Sequence, residues 1–325
     1  MRTFVNQDEA LDFVTHELPW GAAAGTCKDL ATAKKYAQAG FPIVSWGSTT
    51  TLARAGNAGD NFYYDEETGN SVNAWGIPNK GNAAYLHEMA QAKRAVNAEG
   101  SRLLASISAG DKFDPQEYYD MAVDINKHDA ADIIEGNKSC GNMKVGDEYK
   151  PIVCYDIPAF TSGVTALRQG AGDKQTSIKL TPTTERRFLI KNVEICVDLG
   201  IDYIVLANTI PNSYLEKPDG TPGITMVRGG LAGRALRPIV TGMLQMAAPV
   251  VKGTKTKLLA AGGVEDGKSA YQYLRHGANG FVFSTLLWRN NFNPKCGQEI
   301  IFGTEGPGSR SVSLLDLLVQ YGLPD

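Results

Sequence analysis

The sequence predicts a single (β/α)8 TIM barrel. Two observations carry that reading. Eight short apolar runs alternate with amphipathic stretches along the chain, and each run ends in small or polar residues. The chain has 325 residues, a length that one large α/β barrel accommodates. An open, doubly wound sheet is built from the same alternation and is the competing architecture.

The first run, GAAAG (21–25), is the weakest strand signal, being only alanine and glycine. FPIVSWGS (41–48), RLLASISAG (102–110), ADIIEGN (131–137) and TSIKLTP (176–182) follow, then YIVLAN (203–208), KLLAAGG (257–263) and GFVFST (280–285). Between them lie helical patterns at 29–40, 83–100, 114–128, 159–170, 183–200, 233–251 and 267–277. Several stop at glycine, and Asp114-Pro115 reads as a cap followed by a proline in the first turn. Two excursions, 49–81 and 209–232, follow strands and so belong on the C-terminal face, where barrel enzymes keep their sites. With no internal repeat, residues 1–325 read as one domain.

Hydrophobic residues make up 43% of the chain, enough for a sizeable core, and the net charge is −3. No Lys/Arg run stands out, so neither nucleic acid nor an anionic membrane is an expected partner. The N-terminal twenty residues are polar and mixed in charge, without the apolar segment of a signal peptide, and no run reaches the length of a membrane span. The five cysteines are scattered with no CxxC pair, which argues against a metal site or disulfide framework and for a reducing cytoplasm.

The strand ends carry an unusual set of side chains. The first strand closes in Ala23, Ala24 and Gly25, with Lys28 just beyond, and the second in Ser48. Asn73 lies in the first excursion, Asn137, Ser139, Cys140 and Asn142 follow the fourth strand, and Asn208 and Thr209 follow the sixth. An amide both donates and accepts, so four asparagines converging on one cavity would suit a planar ligand with alternating N–H and C=O groups. Loop asparagines also make turns, and that alternative stands for each singly. Glycines at 229–230 and 262–263, with Ser284 and Thr285, suit a phosphate cradle, although glycine also punctuates turns. Lys179 alternates with apolar residues in a strand covered on both faces; it would meet a flavin edge or act as a Schiff-base amine. None of the four histidines lies at a strand end, which leaves Cys140 as the candidate base.

The motifs NAWGIPNKG (73–81), NKSCGN (137–142), IKLTP (178–182), ANT (207–209), RGGLAG (228–233) and AAGGVEDGKSAYQYLRHGANGFVFST (260–285) resemble, in order, those of dihydroorotate dehydrogenases. The likeness covers roughly residues 20–290. It implies an FMN enzyme of pyrimidine biosynthesis in which Cys140 removes the C5 proton of dihydroorotate while the C6 hydride passes to flavin N5. It implies that Asn73, Asn137, Asn142, Asn208 and Thr209 hold the pyrimidine. Lys179 then lies at the flavin edge, and Gly230, Gly262, Gly263, Ser284 and Thr285 form the phosphate cradle. Ala23, Ala24, Gly25 and Ser48 are assigned to the cofactor with them. A cysteine base resembles the soluble class 1 enzymes, for which fumarate is the expected acceptor and a homodimer the expected assembly. The chain departs from that class after the second strand, where VSWGSTT holds no lysine; Lys28, in AGTCKD, is the candidate replacement for pairing with the substrate carboxylate. A different dihydropyrimidine as substrate, a silent flavin protein and a flavin-free Schiff-base lyase are the alternatives.

Overall fold

The computed structural model describes residues 2–139, 144, 145, 148–304 and 312–324, with backbone alone at 144, 145, 148 and 149. Eight parallel strands form a closed barrel: β1 (Trp20–Ala22), β2 (Ile43–Thr49), β3 (Arg102–Ile107), β4 (Ile133–Asn137), β5 (Gln175–Lys179), β6 (Tyr203–Leu206), β7 (Lys257–Ala261) and β8 (Gly280–Phe283). Closure excludes the open-sheet alternative: Trp20, Gly21 and Ala22 pair with Phe281, Val282 and Phe283. The weakest predicted strand is therefore the one that completes the barrel. Its small residues have a reason, because a Cβ at Gly21 would stand 1.9 Å from the Ile43 carbonyl oxygen of β2.

Parallel strands covered on both faces need apolar side chains on both. Ile43, Leu104, Ile133, Val205, Leu259 and Val282 pack inside the barrel. Val44, Trp46, Leu103, Ile134, Ile178 and Ile204 are also buried, and those that alternate with the inner set meet the helices. Burial of each such side chain stabilises the fold by about 1.5–3 kcal/mol.

Helices Leu30–Gln38, Asn82–Ala98, Pro115–Lys127, Ile157–Gly170, Arg186–Asp198, Leu236–Val251 and Gly267–Arg275 surround the strands. In Pro115–Lys127 the buried residues Tyr118, Met121, Ala122 and Ile125 recur at helical spacing. As expected, Asp114 caps this helix, accepting from Gln116 N at 2.9 Å, with Pro115 in the first turn. Asp29, Asp156 and Asp266 cap others in the same way. Each such cap contributes about 1 kcal/mol.

The two excursions are more ordered than the sequence suggested. Strands Phe62–Asp65 and Asn70–Asn73 from the first, with Ile210–Ser213 and Gly229–Gly233 from the second, form one four-stranded antiparallel sheet. Its central pairing sets Asn73 opposite Gly230 and Ser71 opposite Ala232. Val72, Ala74 and Ile224 make a small core of its own.

The ends of the chain meet. An unanticipated helix, Gln7–His16, is capped by Asn6 and buries Ala10, Phe13 and Val14. The apolar C-terminal stretch forms the helix Leu314–Tyr321, with Leu314, Leu315 and Leu318 buried. Arg2 and Leu323 exchange backbone hydrogen bonds of 2.8 Å beside it. No helix among the described residues is long and apolar enough to cross a membrane.

Candidate active site

A cavity of about 280 Å³ is lined by the ends of β2, β4 and β5 together with the loops that follow β1 and β6. Ala24, Gly25, Lys28, Ser48, Asn73, Asn137, Lys179, Asn208 and Thr209, nine of the sequence-derived candidates, line it. A second pocket of about 40 Å³ adjoins it, lined by Ala23, Gly262, Gly263, Ser284 and Thr285; Lys179, Asn208 and Thr209 line both. Gly230 lines neither; it lies in the excursion sheet, where its carbonyl accepts from Asn73 Nδ2 at 3.3 Å. Cys140 and Asn142 lie outside the described residues.

The polar lining is cross-linked. Asn137 Nδ2 donates to Ser48 Oγ at 3.1 Å, and Ser48 Oγ lies 2.9 Å from Ser106 Oγ. Asn137 Oδ1 accepts from Ser139 Oγ at 2.9 Å and from Ser139 N at 3.2 Å. Asn208 Nδ2 donates to Ser139 Oγ at 2.8 Å, tying the end of β6 to that of β4. Tyr118 Oη, on an outer helix, donates to the Asn137 carbonyl at 3.1 Å. These bonds hold the amides in place; Asn208 Nδ2 also lies 3.5 Å from Asn137 Oδ1, while Asn137 Nδ2 keeps a second hydrogen that can address a ligand.

Burial shapes the charges. Lys28 donates to the Pro78 carbonyl, and desolvation lowers its pKa to about 8. Glu135, on the inner face of β4, is 3% exposed. Burial raises its pKa, and Lys179 works in the opposite sense. The thiols of Cys27, Cys154 and Cys296 are pushed up to about 12 by burial, and that of Cys196 is also raised. Those four are free and structural in setting. None of the four histidines lines either pocket, and no metal-binding cluster occurs among the described residues.

The smaller pocket suits an oxyanion. Gly262 and Gly263 have φ of +114° and +70°. A Cβ at Gly262 would stand 2.6 Å from Leu236 Cδ1, and one at Gly263 would stand 2.7 Å from the Gly233 carbonyl oxygen. Only glycine brings the backbone this close, and Ser284 and Thr285 line the same pocket. Ser71 of the excursion sheet lies 3.1 Å from Thr285 Oγ1 and ties that sheet to the cradle. A group with a planar ring in the large cavity, an anionic tail in the small one and Lys179 beside the junction fits this set.

Residues 11–300 match the family model for dihydroorotate dehydrogenase. The chain belongs to the dihydroorotate dehydrogenase family. It is 28% identical over 271 residues to the catalytic subunit of dihydroorotate dehydrogenase B (NAD(+)) of Petrotoga mobilis, covering 82% of this chain and 83% of the relative. It is 29% identical over 261 residues to dihydroorotate dehydrogenase A (fumarate) of Lacticaseibacillus paracasei, covering 80% and 84%. Among solved structures, the dihydroorotate dehydrogenase of Eimeria tenella in complex with ferulenol superposes with a TM-score of 0.76 at 17% identity, over 94% of this chain and 82% of that one. At that identity the likeness concerns the barrel alone.

Sequence reasoning missed part of this dihydroorotate dehydrogenase-family cavity. Trp75, Gly76, Ile77, Pro78, Pro211 and Trp288 also line it. Trp75 and Trp288 stack with centroids 4.7 Å apart, and Trp288 packs in turn on Phe62 and Phe292. The signal for Trp75 was present, since it lies within the NAWGIPNKG motif. Trp288 follows the last barrel strand, and only the closed fold brings it to the first excursion.

Proposed function

We propose that this protein is an FMN-dependent dihydroorotate dehydrogenase that oxidises dihydroorotate to orotate in pyrimidine biosynthesis. The observation that carries this is the convergence of Asn73, Asn137 and Asn208 with Lys28 and Lys179 in one cavity, continuous with the glycine cradle. Family membership supplies the chemistry that such a set can serve. FMN, when bound, supplies a two-electron acceptor.

The protein's own contributions follow from its side chains. The three amides, with Asn142 and Thr209, hold the pyrimidine ring. Lys28 meets the substrate carboxylate, taking the place of the lysine that the stretch VSWGSTT (44–50) lacks. Cys140 accepts the C5 proton as hydride leaves C6, so the ring gains its C5=C6 double bond. Gly262, Gly263, Ser284 and Thr285 bind the flavin phosphate, with Gly230 behind Asn73; Ala23, Ala24, Gly25, Ser48 and Lys179 contact the flavin. Fumarate, named for the Lacticaseibacillus relative, is the proposed acceptor; reoxidation by fumarate and by NAD(+) measured separately decides between them. The proposed setting is the cytoplasm, supported by the free, buried thiols, and the proposed assembly is a homodimer.

The test is an anaerobic absorbance spectrum. Purified protein is expected to be yellow and to bleach on adding dihydroorotate; persistent colour refutes the substrate. The absence of a lysine after β2 favours one second reading, a dihydropyrimidine without a carboxylate. Faster turnover of dihydrouracil than of dihydroorotate would establish it.

A further inference from the structure

The barrel interior is not uniformly apolar. Ser106, Glu135 and Ser177 stand in register on β3, β4 and β5. Asn137 and Lys179, also paired, lie two residues further along the same strands. This polar wall lies directly below the part of the cavity floor formed by Ser48, Asn137 and Lys179. Glu135 Oε1 is buried and has no hydrogen-bond partner among the described residues, while Ser177 Oγ approaches Oε2 at 3.5 Å. Ser106 stands opposite Glu135 in the strand register, and its Oγ lies 2.9 Å from Ser48 Oγ. Hydroxyls both donate and accept, so Ser48 and Ser106 offer a proton a path from the cavity toward the carboxyl opposite Ser106.

A buried carboxylate with an oxygen lacking any partner is costly, whereas a carboxyl that can gain a proton escapes that cost. Lys179 is the charge that favours the ionised form. The other ionisable groups on the inner faces of β3 to β7, among the described residues, lie toward the opposite end of the barrel: Arg102 and Tyr203, bonded to each other and to Gln175, and the exposed Lys257 opposite Tyr203. The balance at Glu135 therefore depends on what Lys179 faces.

We infer that Glu135 is a positioning residue that binds a proton when the flavin beside Lys179 is reduced, so that the charge of this wall is matched to the redox state. Two electrons entering the cavity place negative charge against Lys179. That charge weakens the hold of Lys179 on the Glu135 carboxylate, and one proton from solvent passes along Ser48 and Ser106 to the carboxyl. Reoxidation releases it by the same route. The step consumes no further oxidant, because the electrons come from the substrate and leave to the acceptor. This inference rests on the FMN reading above.

The test is the midpoint potential of the FMN-loaded protein between pH 6 and 9, for the wild type and Glu135→Gln. One additional proton per two electrons changes the equilibrium tenfold per pH unit, about 30 mV. The wild type is expected to show a steeper slope than Glu135→Gln by up to that amount within this range. A yellow protein with equal slopes overturns the inference alone, and a colourless protein overturns the FMN reading with it. If Glu135→Gln fails to fold, the infrared difference spectrum of the wild type with labelled glutamate decides. A carboxylic acid band gained on reduction supports the inference, and no change in the glutamate bands overturns it.

Discussion

The Nζ of Lys138 lies 2.8 Å from the centre of the Tyr118 ring. Lys138 is 1% exposed, and its amine has no hydrogen-bond partner among the described residues. Its slot exists because two neighbours are glycines: a Cβ on Gly136 would stand 3.3 Å from Lys138 Cε, and one on Gly163 2.6 Å from Nζ. Tyr118 and Phe113 offer ring faces, which recover about 2 kcal/mol for a desolvated cation. Burial outweighs that and holds the pKa of Lys138 well below the usual lysine value, with Lys150 acting in the same direction and Cys154 and Cys196 against it.

A stability prediction follows with a definite sign. A base whose folded pKa is depressed binds fewer protons folded than unfolded, so stability rises with pH between the folded value and about 10.4, the unfolded one. Lys138→Met should stabilise the protein, by about 1–3 kcal/mol near neutral pH. The advantage should shrink as pH climbs toward 10. Denaturant unfolding at pH 7, 8.5 and 10 checks this; a pH-independent difference would mean that the amine is not its source.

Lys28 should divide binding from turnover. In the proposed role, charged Lys28 attracts the substrate carboxylate, and desolvation, which lowers its pKa to about 8, lets that attraction fade above pH 8. Lys28→Met should raise KM for dihydroorotate about 10- to 100-fold, the worth of a charge-assisted hydrogen bond, with kcat changed far less. In the wild type KM should climb above pH 8, and in the variant it should stay flat. Steady-state kinetics from pH 6.5 to 9.5 provide both comparisons.

The thiol of Cys140 should govern the other limb of the pH profile. A free thiol of pKa about 8.5 is mostly protonated at neutral pH, so kcat should rise with pH as the base forms. Cys140→Ala should lower the rate of flavin bleaching by dihydroorotate about 10²- to 10⁴-fold. Reoxidation by the acceptor should proceed at the wild-type rate. Stopped-flow absorbance separates the two half-reactions, and full-speed bleaching by the alanine variant would remove Cys140 from the chemistry.

The cradle can be tested without turnover. Gly262→Ala places a Cβ against Leu236 at a φ that costs an L-residue about 1–2 kcal/mol before any clash. Titration of the apoprotein with FMN, followed by flavin fluorescence, should show affinity weakened more than tenfold. Gly242→Ala, in the helix Leu236–Val251 with open space around the added Cβ, should leave affinity close to that of the wild type.

The barrel was legible because strands buried on both faces write themselves as continuous apolar runs, as in Ile43–Thr49, where every residue is buried. The site candidates were legible because they close those runs. The excursion sheet was not: Phe62–Asp65 is half-buried throughout, and its partners Asn70–Asn73 and Gly229–Gly233 are short and rich in Asn and Gly. Neither strong alternation nor an apolar run marks such strands. The helix Gln7–His16 did carry a signal, Asn6 ahead of Ala10, Phe13 and Val14 at helical spacing, but its charged face dominated the reading. Lys138 was hidden for a different reason. Its neighbours Asn137 and Ser139 line the cavity, and only the pleat of β4, with Gly163 from a distant helix, turns it the other way.

The joined sheet of the two excursions bears on how this barrel can be altered. Asn70–Asn73 has one neighbour from its own loop and one from the other, so neither loop is a self-contained module. Grafting 49–81 onto a related barrel without 209–232 would bare a strand edge beside the pocket of Gly262, Gly263, Ser284 and Thr285. Changes of length in one loop must therefore be matched by changes in the other, and the two will diversify as a pair.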